Sequence, residues 1–298
     1  MAHEIAQRTL DLGDIEVALL ECGPADGPLV LCLHGFPDTP HTFRHLLPEL
    51  ADAGLHAVAP WLRGYAPTSL APDGRYPLAL LIDDAVRCHD ALAGGPAGAL
   101  VGHDWGAAIA HGAAAFSPDR FERVVALAVP PPGVFAQALF DLDQLQRSFY
   151  IWFFQTALAE GVVAADGFAF LEHLWRKWSP GYDPAADLEH VVASLAAREN
   201  LSAALGYYRA MFELSVPEGL EAQAGAALGP SRQPTLYLHG RDDGCFGAEL
   251  LERPDVVATL RGLLGPGSET AIVEGVGHFL HLEAPEIVNP RVVAWLAS

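Results

Sequence analysis

Apolar and polar positions alternate in two short opening segments, residues 9–12 and 15–20, and the Gly13-Asp14 pair between them predicts an antiparallel hairpin. From Leu29 the pattern changes to short apolar runs, LVLCLHG, LHAVAP, AGALVGH, RVVALAV and later TLYLHG and ETAIVEG, separated by amphipathic stretches of helical length. Runs that are apolar on both faces suit strands covered on both sides. The alternation therefore predicts an α/β fold with a mostly parallel sheet and crossover helices on both faces, eight strands in all with the hairpin, and a closing helix from about Ala284. Between Pro130-Pro131-Pro132 and about Gly229 no strand-like run occurs, and Phe135, Leu139, Leu142, Leu145, Phe149 and Trp152 recur at the three-to-four-residue period of a helix face. This predicts an inserted helical domain over residues 131–229, dividing the core into 1–130 and 230–298. The Pro-rich entrance and Gly/Ala-rich exit read as hinges or linkers.

Composition narrows the class. A chain of 298 residues with 51% apolar content can bury a full core. A net charge of -20, with Lys177 as the one lysine, excludes nucleic acid as a partner, since phosphate binding needs clustered Lys and Arg. The N-terminus lacks a basic region followed by an apolar run, and no long uncharged apolar stretch follows, so the expectation is a cytoplasmic protein without a membrane span. A homodimer is compatible with this picture. Cys22, Cys32, Cys88 and Cys245 have neither CxxC spacing nor histidine clustering, so the expectation is reduced, buried thiols with no metal and no disulfide.

The strongest chemical signal is Gly102-His103-Asp104-Trp105-Gly106, where an apolar strand meets a helix of small residues. This is the strand-to-helix elbow that presents a nucleophile, with Asp in the place of the familiar Ser. The flanking glycines leave out side chains that would collide in a strained turn, and the helix N-terminus favours a negative charge. The plainer reading makes Asp104 an ordinary helix cap. Against it stands the order of the other groups. Asp243 follows TLYLHG, with Asp242 as its competitor, and His278 follows ETAIVEG, with His281 as its competitor. Acid and base thus come after the nucleophile, as this elbow chemistry requires. His34-Gly35-Phe36-Pro37 follows the strand LVLCL and occupies the position of an oxyanion loop, with the N–H groups of Phe36 and Trp105 as donors.

Taken together, HGFP, GHDWG, Gly-x-x-Asp and Gly-x-Gly-His in this order resemble the epoxide hydrolases of the α/β-hydrolase superfamily over nearly the whole chain. The stretch from Arg63 to Ser69 departs from it, with Ala66-Pro67 where the family commonly has a second glycine. The resemblance implies an α/β-hydrolase fold with a helical cap, no cofactor, and two cap tyrosines that bind and protonate the epoxide oxygen. Tyr150, before Phe154-Gln155, matches the first context. Tyr208, in Gly206-Tyr207-Tyr208-Arg209, resembles the second, with Tyr207 as the fallback. A core role for Tyr208 competes, because Leu201, Leu205, Tyr208 and Phe212 share one helical face.

A carboxylate nucleophile suits displacement at saturated carbon, giving an alkyl ester that water then hydrolyses. That leaves two enzymatic readings, an epoxide hydrolase or a dehalogenase, and one non-catalytic reading, a ligand-binding protein on a hydrolase-like fold. Trp105 keeps the dehalogenase alive, since its indole suits a halide. The fluoroacetate type is disfavoured, because Trp105 and Ala108 stand where that type has arginines and Ile151 where it has a histidine. The preferred expectation is hydrolysis of a small apolar or aromatic epoxide to a diol in an apolar pocket that includes Met211, with His34, Pro37, Trp152 and Phe153 as substrate-binding residues.

Overall fold

The computed structural model describes residues 3–213 and 215–297. The opening alternation forms β1 (Ala6–Asp11) and β2 (Glu16–Cys22), paired antiparallel, with Gly13 at a φ of 91° in the connection. The apolar runs form β3 (Leu29–Leu33), β4 (His56–Pro60), β5 (Gly98–His103), β6 (Phe121–Leu127), β7 (Thr235–Gly240) and β8 (Glu269–Val273). Every position of β3, β4, β5 and β7 is buried, as in strands covered on both faces.

The strand order is β1-β2-β4-β3-β5-β6-β7-β8, antiparallel where β2 meets β1 and β4 and parallel elsewhere. The chain lays β4 on one side of β3 and β5 on the other. The order reverses there, which opens a crevice beyond the carboxyl ends of the strands.

The helices before the insertion are α1 (Leu46–Asp52), α2 (Leu78–Ala91) and α3 (Trp105–Phe116). Within it come α4 (Pro132–Ala138), α5 (Leu142–Arg147), α6 (Phe149–Phe153), α7 (Ala159–Trp178), α8 (Ala185–Leu195), α9 (Arg198–Ala210) and α10 (Glu221–Leu228). After it follow α11 (Pro254–Leu263), α12 (Leu280–Glu283) and α13 (Pro285–Leu296). One group of core helices, α2, α3 and α10, packs together, while α1 packs with α13. Among the described residues no helix is long and apolar enough to cross a membrane.

Two expectations change. The apolar period through residues 135–152 is not one continuous helix face. Asp141 accepts the N–H groups of Asp143 and Gln144 and so starts α5 afresh, and a further break at Ser148 precedes α6. The helical phase is lost at each break, leaving Leu142 80% and Trp152 44% exposed. The Gly/Ala-rich exit is not a linker over residues 221–228 but helix α10, which packs on α2 and α3, and its Gln223 donates to Asp83 at 3.1 Å. Small side chains permit that close packing. A Cβ at Gly112 of α3 would lie 2.2 Å from Ile82 Cδ1 and 3.4 Å from Ala227 Cα.

The insertion is tied to the core by hydrogen bonds onto the loops at the crevice. Asn200 and Tyr207 of α9 donate to the carbonyls of Gly64 and Arg63, both at 2.7 Å. The indole of Trp175 donates to Pro37 O at 2.8 Å, and Arg44 pairs with Asp187. At the end of α7 the carbonyl of Trp178 accepts from both Gly244 N (3.1 Å) and His278 N (3.0 Å). Arg63 is itself fixed by a two-pronged pair with Asp84 at 2.6 and 2.7 Å.

Candidate active site

The elbow between β5 and α3 holds Asp104 at φ 54°, ψ −118°, outside the ordinary regions for an L-residue. The flanking glycines make this possible. A Cβ at Gly102 would lie 2.1 Å from Gly106 O, and one at Gly106 would lie 1.8 Å from Leu33 O. The Asp104 side chain makes no capping bond to α3. Its Oδ1 instead accepts the N–H of Phe36 at 2.8 Å. The N–H of Trp105, the other expected donor, makes no hydrogen bond to the carboxylate within the described structure. Gly35 permits this meeting, since a Cβ there would lie 2.3 Å from Asp104 Oδ1.

Across the crevice, His278 Nδ1 donates to Asp243 Oδ2 at 2.9 Å, which fixes the tautomer and turns Nε2 toward Asp104 Oδ2 at 3.7 Å. Asp243 is held in turn by the N–H groups of Cys245 (2.7 Å) and Phe246 (3.0 Å) on its Oδ1. Of the competing pairs, Asp242 is exposed on the surface, and His281 binds Thr42 Oγ1 at 2.6 Å away from Asp243.

Tyr150 and Tyr208 come together with ring centroids 5.5 Å apart, and both line, with Asp104 and Trp105, an apolar cavity of about 390 Å³ that also includes Met211. The Tyr208 hydroxyl is buried without a hydrogen bond of normal geometry. Tyr207 spends its hydroxyl on Arg63 O. Tyr150 OH meets Cys245 Sγ at 3.4 Å.

Four residues expected to touch substrate do not line this cavity. His34 lies beneath the loop, bonded through Nδ1 to Gly35 O and through Nε2 to Leu62 N. Pro37 follows a cis peptide, and its carbonyl is taken by Trp175. Trp152 faces outward against Phe212, and Phe153 packs on Phe154 and Phe170. Sequence reading missed Cys245, whose thiol stands beside Tyr150. It also missed Gln144, which donates to Cys245 O (2.9 Å) and accepts Gly247 N (3.0 Å), bracing the acid loop from the cap.

A family model of the alpha/beta hydrolase fold matches residues 28–285. An epoxide hydrolase from Caballeronia sordidicola is 32% identical over 303 residues, covering 91% of this chain and 88% of that protein. The chain belongs to the epoxide hydrolase family of α/β-hydrolases. Epoxide hydrolase A of Mycobacterium tuberculosis is 27% identical over 331 residues, covering 98% of this chain and 97% of that one. The solved structure of an epoxide hydrolase from Vigna radiata superposes with a TM-score of 0.79 at 27% identity, covering 98% of each chain.

In this family member the site's electrostatics follow from burial and two carboxylates. Burial opposes a charge on His278, but Asp243 and Asp104 outweigh it and hold its pKa up at about 10. Asp243 is lowered: burial opposes its charge, and His278 overcomes that penalty. Burial raises Tyr150 and Tyr208 well above the usual phenol range, so both keep their protons. Two buried groups place metal-ligating atoms within 4.8 Å of one another, Asp38-His103-His281 and Asp104-Cys245-His278. Only the second has a residue on the cavity, Asp104.

Proposed function

We propose that the enzyme opens small apolar or aromatic epoxides to vicinal diols with water, by way of an alkyl ester on Asp104. The observation that supports this reading is the sharing of one cavity by a carboxylate and two protonated phenols. Asp104, braced by the Phe36 N–H, lines the cavity together with Tyr150 and Tyr208, and His278 reaches Asp104 at 3.7 Å.

In the first step Asp104 attacks one epoxide carbon, and the carbon–oxygen bond opens as the two tyrosines hydrogen-bond the oxygen and supply its proton. The Asp104 carboxylate becomes a neutral ester. One of the two charges that hold His278 protonated is thereby lost, so the imidazole gives up its proton, by way of solvent, to the tyrosine that lost one and becomes a base when one is needed. His278, oriented by Asp243, then takes a proton from water, and the hydroxide adds to the ester carbonyl. The Phe36 N–H stabilises the resulting oxyanion, with Trp105 N–H as the second donor, and its collapse breaks the ester bond, returns the Asp104 carboxylate and releases the diol, whose alkoxide oxygen takes the proton held by His278. No cofactor enters any step.

The tyrosines separate this reading from a dehalogenase, because a departing halide needs no proton whereas the epoxide oxygen does. Tyr150→Phe with Tyr208→Phe is expected to lower the rate of styrene oxide hydrolysis by at least about 100-fold, the span of general acid catalysis. Near-normal turnover in the double variant would take the proton donor away from both residues.

A further inference from the structure

Cys245 has no part in the reaction proposed above, yet its thiol stands inside the site. It is buried, two residues beyond Asp243, with Sγ 3.4 Å from the Tyr150 hydroxyl. Its backbone is held on both sides, N–H on Asp243 Oδ1 and carbonyl under Gln144, so the sulfur keeps its direction as long as the acid loop is intact. Burial, with the Asp243 and Asp104 carboxylates next, pushes the thiol pKa well up. The thiol therefore stays protonated and is a poor nucleophile towards a bound epoxide.

A metal cation can replace that proton. Asp104, Cys245 and His278 bring a carboxylate oxygen, a sulfur and an imidazole nitrogen within 4.8 Å of one another. The Nε2 of His278 is fully buried, has no hydrogen-bond partner, and points toward Asp104 at 3.7 Å. Around a tetrahedral zinc, bond lengths of about 2.0–2.3 Å put ligand atoms roughly 3.3–3.8 Å apart, so the Asp104–His278 separation already suits such an ion. Asp104 and Tyr150 line the cavity, which supplies the way in. Among the described residues no other cysteine belongs to such a group.

We propose that Asp104, Cys245 and His278 form an inhibitory site for thiophilic divalent metals, taking Zn²⁺ and Cd²⁺. Binding sends the thiol proton and the His278 proton to solvent and transfers no electrons. The ion occupies the carboxylate and the imidazole nitrogen together, so nucleophile and base are blocked at once. The inhibition rests on the roles assigned to Asp104 and His278, whereas the binding does not.

The test is a Cd²⁺ titration of the whole protein, read in two ways. The first is the ultraviolet sulfur-to-cadmium charge-transfer band without substrate, and the second is the rate of styrene oxide hydrolysis. Wild type is expected to gain the band, saturating at one equivalent, and to lose activity over the same range. Cys245→Ala is expected to lose the band and to need about tenfold or more Cd²⁺ for half inhibition, each variant being scored against its own metal-free rate. His278→Gln is expected to keep the band but saturate at higher Cd²⁺. No band in wild type, or equal inhibition of wild type and Cys245→Ala, overturns the proposal. Because the band is read without turnover, it tests the site even if styrene oxide is not hydrolysed.

Discussion

That Asp104, Asp243 and His278 meet is legible in the sequence, because each stands at a turn that the local residues announce. Gly102 and Gly106 sit where any Cβ would meet backbone, so the glycine spacing carries the geometry itself. Side-chain direction on the short cap helices is not legible. Trp152 follows Tyr150 by two residues, about 200° around a helix, so burying Tyr150 turns Trp152 outward. Cys245 reads as an ordinary buried thiol because nothing in its spacing shows that its sulfur reaches Tyr150. At this scale the raised pKa of His278 has a measurable consequence. A pKa of about 10 in the fold against the ordinary 6.5 means that the protonated imidazole stabilises the fold fully below about pH 6.5, and that this contribution is lost as pH rises through about 10. The Tm advantage of wild type over His278→Gln is therefore expected to shrink between pH 6.5 and 10. A constant difference across that window would remove the ion pair as its source.

At the scale of elements, the apolar runs foretell all six strands from β3 to β8; β3, β4, β5 and β7 are buried on both faces and leave no competing pattern, and β6 and β8, partly exposed, still carry short apolar runs. Between β6 and β7 the apolar period does not give the phase of the helices, because the breaks at Asp141 and Ser148 depend on local capping that apolar periodicity does not register. The Gly/Ala-rich segment at 221–228 has a linker's composition. Its small residues serve close packing against the equally small-residued α3. The end of α7 meets the loops of Asp243 and His278 through a main-chain carbonyl, and no residue type announces such a contact. It does yield a prediction. A Cβ at Gly244 would lie 2.1 Å from Lys177 O, so Gly244→Ala is expected to push the Asp243 loop away from α7. A displacement of about 1 Å at the acid is expected to lower kcat by on the order of 100-fold. Unchanged kcat with a normal Tm would show that α7 does not position the acid.

Across the whole molecule, the contacts that seat the insertion join residues far apart in the chain, such as Trp175 with Pro37 and Arg44 with Asp187, and pairings at that separation leave no trace in local pattern. Overall charge, by contrast, is read directly. The chain carries -20, the cavity lining includes Asp104 and Glu213, and among its described residues it has no Lys or Arg. Such a field disfavours anionic substrates. An epoxide bearing a carboxylate is expected to show a lower kcat/KM than its methyl ester, with the gap narrowing as salt shortens the Debye length from about 30 Å to about 8 Å. Equal values at low salt would mean that the field does not reach the cavity.

Covalent attack by Asp104 is tested by the intact mass of His278→Gln after exposure to styrene oxide, followed by digestion. The variant blocks ester hydrolysis while leaving the nucleophile in place. A gain equal to the whole epoxide is expected, located on the peptide carrying Asp104, with no comparable adduct from a bromoalkane. An unmodified variant, under conditions where wild type releases diol, would contradict the ester and require direct attack by water.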